Sequence, residues 1–487
     1  MPPASPPDTR RQALALIITG AAVFMVTLDN LVVTNALTSI RADLGATIAQ
    51  LGWFVNAYTL TFAALLLTGA SLGDRFGRRR VFAAGLGVFT AGSLWAALAT
   101  SGDMLIAARG VQGLGAALVM PLSLTLLSAA FPAERRGLAI GIWSGISGLA
   151  VALGPVVGGG IVDGLSWQWI FFVNVPIGIA LAPLAYRYLD DSHGPDGALD
   201  VRGLVLAITG LFALVWGIVR GNDAGWLSPE IVTSLGLGVA LLGAFVAWER
   251  RTPAPMLPLH LFRSRAFSAT NGVALLMSFG IFGSIFLLAQ FLQTVQGYSA
   301  FEAGVRTLPW TLMPMFIAPL AGVYSDRIGS RPLMVTGLAL QAIALGWLAS
   351  VSAPDVAYSS LVAPFVLAGI GMALVFAPVS NMILSSVRPS EEGKASGASS
   401  AIREVGGALG VAVLASVFAR QGNTLTGQGF VDGLVPAIWV GAGVLGAGAL
   451  LALVVPGRRP QRDGARVAER TAEVPSLQAL TPEISAS

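Results

Sequence analysis

Charge is what this sequence is short of. Only 11% of its 487 residues are Asp, Glu, Lys or Arg, whereas a soluble domain carries about 25%. So little ionic surface cannot cover a globule in water. With a 55% hydrophobic fraction and a mean hydropathy of +0.75 the chain reads as a polytopic membrane protein. Cysteine is absent altogether, which excludes disulfides, thiolate metal centres and a cysteine nucleophile. Lysine occurs once, at Lys394, and histidine twice, at His193 and His260, both in polar connections. A histidine proton relay inside the membrane is therefore not expected. No Gly–Lys–Ser/Thr follows any glycine-rich stretch, so power from ATP has no support. No nucleophile or metal constellation marks an enzyme, and no cofactor, metal or nucleic-acid partner is expected.

Fourteen apolar segments are each long enough for a helix across the hydrocarbon core, the first at 13–36 and the last at 433–455. Assigning the connections alternately to two sides places 23 of the 29 basic residues on the side of the N-terminus and four on the other, with Arg109 and Arg403 inside spans. The positive-inside rule then predicts that both termini are cytoplasmic, in a multi-pass protein of the cytoplasmic (inner) membrane. The opening "MPPASPPDTRR" is polar and the apolar run after it is of full membrane length, so no cleavable signal peptide is read there. Residues 1–12 form a cytoplasmic tail, and the polar tail 457–487 is expected to be disordered.

The chain repeats itself. "GASLGDRFGRRRVFAAG" (Gly69–Gly85) and "AGVYSDRIGSRPLMVTG" (Ala321–Gly337) match at Asp74/Asp326, Arg75/Arg327, Gly77/Gly329, Arg79/Arg331 and Gly85/Gly337, 252 residues apart. "GAALVMP" and "GMALVFAP" echo each other at nearly the same offset, as do "PAERRGLAIG" and "PSEEGKASG". Two six-span halves, 13–188 and 267–456, are therefore expected, separated by a linker, 189–266, that holds two extra spans at 203–219 and 229–248. Parallel repeats of six spans are the plan of one large transporter fold, with substrate sites between the halves near mid-membrane.

The motifs carry a resemblance to a known family. "GDRFGRRR" is similar to the signature loop of the major facilitator superfamily, and "RGVQGLGAAL" (Arg109–Leu118) resembles its arginine motif. "LGPVVGGG" (Leu153–Gly160) resembles the motif that marks its antiporters. "LDNLVVTNAL" (Leu28–Leu37), "WQWIFFVNVPIG" (Trp167–Gly178) and "VQGYSAFEAGVRTLPW" (Val295–Trp310) resemble the fourteen-span drug:proton antiporter branch. The resemblance covers essentially the whole chain and implies an all-α polytopic membrane protein of the major facilitator fold, with 14 transmembrane helices arranged 6 + 2 + 6. Departures are Leu31, Thr38, Gln168 and Glu404, which stand where related transporters favour threonine, proline, arginine and glutamine.

Within that frame the residues divide by chemistry. Asp74, Arg75, Gly77 and Arg79, with Asp326 and Arg327 in the second half, are expected at gating junctions. Gly77 permits a tight turn, and Asp74 can accept from an arginine and face a helix N-terminus in the other half. For Arg78 and Arg80 the competing reading is topology alone. Asp29, Arg109, Arg403 and Glu404 are the ionisable residues inside spans. Each is costly in a bilayer and so implies pairing, water or function. Asp29 is the leading candidate for carrying a proton; the alternative is a structural pair with Arg109. Glu404 reads equally as a second proton site, a contact for a cationic substrate or an arginine partner. Gly154, Pro155, Gly158 and Gly159 permit close packing and a kink, hence an antiporter hinge. Asn30, Asn35, Asn56, Tyr58, Gln112, Gln290, Gln293 and Asn381 are candidates for a substrate cavity, each alternatively a satisfied interhelical hydrogen bond. The leading function is proton-driven export of amphipathic small molecules, drugs or antibiotics, by a monomer in the lipid bilayer. An uptake symporter on the same fold and, less favoured, a membrane-embedded enzyme are the alternatives.

Overall fold

A computed structural model describes residues 9–193, 200–253, 255, 257, 259–387, 392–422 and 426–456. Among them the regular structure is helical throughout, with no strand. The first half comprises α1 (Thr9–Leu44), α2 (Ile48–Phe76), α3 (Arg78–Ala97), α4 (Gly102–Ala130), α5 (Ala133–Gly164), the short α6 (Trp169–Phe172) and α7 (Asn174–Tyr188). Two further helices follow, α8 (Val201–Ala224) and α9 (Pro229–Glu249). The second half comprises α10 (Arg265–Thr294), α11 (Ala300–Thr311), α12 (Met313–Ile328), α13 (Ser330–Val351), α14 (Tyr358–Ser385), α15 (Glu392–Gln421) and α16 (Gly427–Ala452).

Twelve segments among the described residues are long and apolar enough to cross a membrane, counting α6 and α7 as one. The other two of the fourteen expected spans fall on α5, 32 residues long, and on α11 with α12. Neither α11 (12 residues) nor α12 (16 residues) reaches membrane length alone. The helix breaks between them because Pro314, at the start of α12, has no N–H to offer the preceding turn. Pro176 has the same effect at the junction of α6 and α7.

Helices associate in hydrocarbon through close packing and interhelical hydrogen bonds, since lipid tails are as apolar as leucine. Within the first half α4 packs on α2 and α3, and α5 on α1; within the second, α10 packs on α15 and α13 on α14 and α16. The halves join along α2 with α15, α5 with α11, and α1 with α10. The hairpin of α8 and α9 leans against the α2–α15 seam and touches both halves. Trp53 of α2 packs with tilted rings against Phe212 and Trp216 of α8, at centroid separations of 5.2 and 5.9 Å. On the other side of the seam, Asn222 of α8 donates from Nδ2 to Ser416 Oγ of α15 at 3.2 Å.

Candidate functional site

Asp29 lies on α1 with its side chain wholly enclosed. Its Oδ2 accepts from Nη1 of Arg109, on α4. Its Oδ1 accepts from Gln112 Nε2 at 3.0 Å and from Asn174 Nδ2 at 2.7 Å. Ser93 Oγ, on α3, accepts from the same two amides at 2.8 and 3.4 Å. Four elements thus converge on one carboxylate, and all belong to the first half. Arg109 is held from every side. Its Nε donates to the Phe54 carbonyl at 3.0 Å and its Nη1 to Gln112 Oε1 at 2.9 Å, while the guanidinium lies 4.3 Å above the Tyr58 ring. Among the described residues its Nη2 has no hydrogen-bond partner. A buried charge pair of this kind holds only while both partners are charged and hydrogen-bonded, so its stability depends on whether the carboxylate carries a proton.

Gln112 and Tyr58, candidates for cavity lining, are therefore fully buried parts of this cluster. Sequence reasoning missed Asn174 and Ser93. Asn174 sits in "FFVNVPIG", a polar residue in an apolar run, and that was the available signal. Glu404 is half-buried and, among the described residues, has neither a hydrogen bond nor an ion pair within 4 Å. The neighbouring Arg403 turns elsewhere, 6.0 Å from the Phe376 ring.

The end of the molecule that carries Arg78–Arg80 is organised by carboxylates of the first half. Asp74 Oδ1 accepts from Arg78 Nε at 2.9 Å and from its Nη2 at 2.8 Å. Arg78, for which topology alone was the competing reading, is thus the partner of Asp74 four residues away. Asp191, just beyond α7, receives Arg80 Nε at 3.4 Å and the Arg79 backbone N–H at 3.4 Å. Gly77 has φ +97°, and a Cβ there would stand 2.8 Å from Asp191 Oδ1, so the turn needs glycine both for its backbone and for space. Arg75 and Arg327 are exposed, and the Asp326 side chain lies outside the described residues. The recorded bonds of Asp74 stay within its own loop, where sequence reasoning had it reaching the facing half.

The opposite, arginine-poor end is closed by contacts between the halves. A Cβ on Gly159 of α5 would stand 2.2 Å from the Ala300 carbonyl of α11, and one on Gly304 of α11 would stand 2.2 Å from the Pro155 carbonyl. Gly154 and Gly158 turn the other way and pack on Leu31 and Val32 of α1. Asn35 donates to the Pro155 carbonyl at 2.7 Å, and Gln293 of α10 donates to the Asn35 carbonyl at 3.0 Å. Gln290 bonds within its own helix to the Phe286 carbonyl at 3.0 Å. Asn56 is buried with neither amide atom partnered among the described residues, and Asn30 and Asn381 are half-buried. A separate apolar cavity of about 230 Å³ lies between α2, α4 and α8, lined by Trp53, Leu60, Ile106, Leu211 and Phe212 among others.

The family model described as Major Facilitator Superfamily matches residues 18–410 and 272–483. The chain belongs to that superfamily. This member is 36% identical over 412 residues to the multidrug resistance protein Stp of Mycobacterium tuberculosis, covering 84% of this chain and 76% of the relative. It is 39% identical over 416 residues to the cephamycin export protein CmcT of Amycolatopsis lactamdurans, covering 84% and 85%. It is 36% identical over 408 residues to the tetracenomycin C resistance and export protein of Streptomyces glaucescens, covering 83% and 76%. Among solved structures, a POT family transporter superposes with a TM-score of 0.68 at 16% identity, covering 91% of this chain and 96% of that one. An inward-facing, unoccupied bacterial homologue of the human lysosomal transporter Spinster gives 0.66 at 15% identity, covering 91% and 97%. At those identities the superpositions speak to the fold alone. The superfamily member is a multi-pass membrane protein of a transporter family.

Proposed function

We propose that the protein is a proton-coupled antiporter that exports amphipathic small molecules, of the drug or antibiotic class, across the cytoplasmic membrane by alternating access. The arginine-rich end faces the cytoplasm in this reading, and fourteen helices cross the bilayer. The state described here, closed at the arginine-poor end, is then the inward-facing one. The observation that carries the reading is the enclosed Asp29–Arg109 pair, one helix away from the α2–α15 seam, in a chain whose relatives are named for resistance and export.

The chain's own residues supply the steps. With the arginine-poor end open, a proton from outside reaches Asp29. The neutral acid no longer balances Arg109, and the guanidinium shifts its hold toward the Phe54 carbonyl and the Tyr58 ring. Both belong to α2, whose other face lies on α15. The halves rock about this seam to the inward-facing state, the proton leaves to the cytoplasm, and substrate enters. Substrate carried by the return movement is released outside.

Uptake into everted membrane vesicles under an imposed proton gradient tests the reading. Substrate should accumulate against its gradient with wild-type protein, protons should leave the lumen in exchange, and Asp29→Asn should abolish both. Substrate and protons moving in the same direction would overturn export in favour of symport.

A further inference from the structure

One carboxylate crosses the seam where the halves lie closest. Asp163, at the end of α5, accepts from the backbone N–H groups of Ala300 at 3.1 Å and Phe301 at 2.8 Å, the first two residues of α11. The third amide of that turn, on Glu302, already donates to Ser299 Oγ at 3.1 Å, and Glu302 Oε2 accepts from the Ser299 N–H at 3.1 Å. Glu302 is paired in turn with Arg306 at 3.8 Å, whose guanidinium lies 3.7 Å above the Tyr298 ring. The local cap of α11 is therefore complete except for the two amides that Asp163 takes from the other half. A carboxylate in this position gains both the charge-assisted bonds and the partial positive charge of the helix terminus. Gly159 and Gly304 bring the two backbones together directly below it, so this end cannot open without parting Asp163 from α11.

We propose that Asp163 is the latch of the arginine-poor end, setting the fraction of molecules closed there. It positions the halves rather than touching substrate or the transported proton. The inference rests on the alternating-access reading above and adds a residue to it. The repeated loops point to Asp74 as the gate, yet at the closed end it is Asp163 that takes two bonds across the halves, beside the one from Gln293 to the Asn35 carbonyl. The residue is exposed, so solvent screens its bonds. Loss of the carboxylate is expected to change the open-to-closed ratio about tenfold, the low end for hydrogen bonds to charged groups.

The chain has no native cysteine, so paired spin labels can be attached without background. Thr100→Cys, in the loop after α3, and Asp355→Cys, in the loop after α13, place one label on each half at the arginine-poor end. Dipolar distance distributions are recorded for the full chain in lipid nanodiscs, without substrate or gradient. Asp163→Ala should raise the long-to-short population ratio about tenfold. Asp163→Asn, which retains one acceptor and the side-chain shape, should raise it about threefold. An unchanged distribution in both variants overturns the latch; if the alanine variant fails to assemble, the asparagine variant decides alone. No proton or substrate flux enters this measurement. A shifted distribution in a chain that fails the vesicle assay would sustain the latch and reject the export reading, and the reverse pattern would do the opposite.

Discussion

Replacing Asp29 by asparagine separates the charge of the buried pair from its shape. The amide oxygen can keep the bonds from Gln112 and Asn174, at 3.0 and 2.7 Å. Its NH2 group then faces Arg109 Nη1, donor against donor, and a buried guanidinium is left without a counter-charge. Breaking a buried pair from one side costs roughly 3–5 kcal/mol. At roughly 2 °C per kcal/mol for a large domain, the unfolding midpoint in detergent should fall by roughly 6–10 °C. Removing both charges in Asp29→Asn/Arg109→Gln eliminates the orphaned cation and should recover most of that loss. A double-mutant cycle monitored by tryptophan fluorescence measures this coupling. Uphill export should be absent from the single and double variants alike, so stability returns and function does not. The reasoning fails if the double variant is no more stable than Asp29→Asn. It fails equally if either variant still pumps uphill at the wild-type rate.

Glu404→Gln should behave differently: with no ion-pair partner among the described residues to orphan, the unfolding midpoint should stay within about 2 °C of wild type while export in vesicles falls. Asp74→Asn and Arg78→Ala should reduce export by similar factors, and the double variant by no more than either single, because they remove the two ends of one contact; additive losses in the same vesicle assay would separate their roles. Gly159→Leu should trap the molecule open at the arginine-poor end, because its side chain would meet the Ala300 carbonyl. A cysteine at that end should then label faster with a membrane-impermeant maleimide, and unchanged labelling would place the contact outside the transport cycle.

The helical, membrane-spanning character of the chain was legible because hydrophobic length and the echo of Asp74–Gly77 at Asp326–Gly329 are written along it. The two expected spans that are broken in the structure, 168–187 and 303–323, show the limit of that reading. Length and hydropathy reveal both as apolar, but not that they divide into α6 with α7 and α11 with α12, the latter at Pro314. At the site, Asp29 and Arg109 stood out because charge is rare in these spans. Asn174 and Ser93 did not, since nothing along the chain shows that Asn174 reaches a carboxylate 145 positions away or that Ser93 accepts from the amides around it. The partners of Asp74 and Asp191 were hidden for a similar reason: the sequence shows four basic residues around one turn, and only geometry assigns them. Gly159 was legible as a small residue, while its role as one side of a cross-half backbone contact depends on Gly304, which lies on another helix.

The placement of the α8–α9 hairpin also bears on how a greasy solute reaches the interior. The hairpin covers the seam of α2 and α15, packed on Trp53 and tied to Ser416, and its contacts lie there rather than on α5 and α11. The two seams between the halves therefore face the surrounding lipid unequally, and a path from the bilayer along the first would have to pass the hairpin.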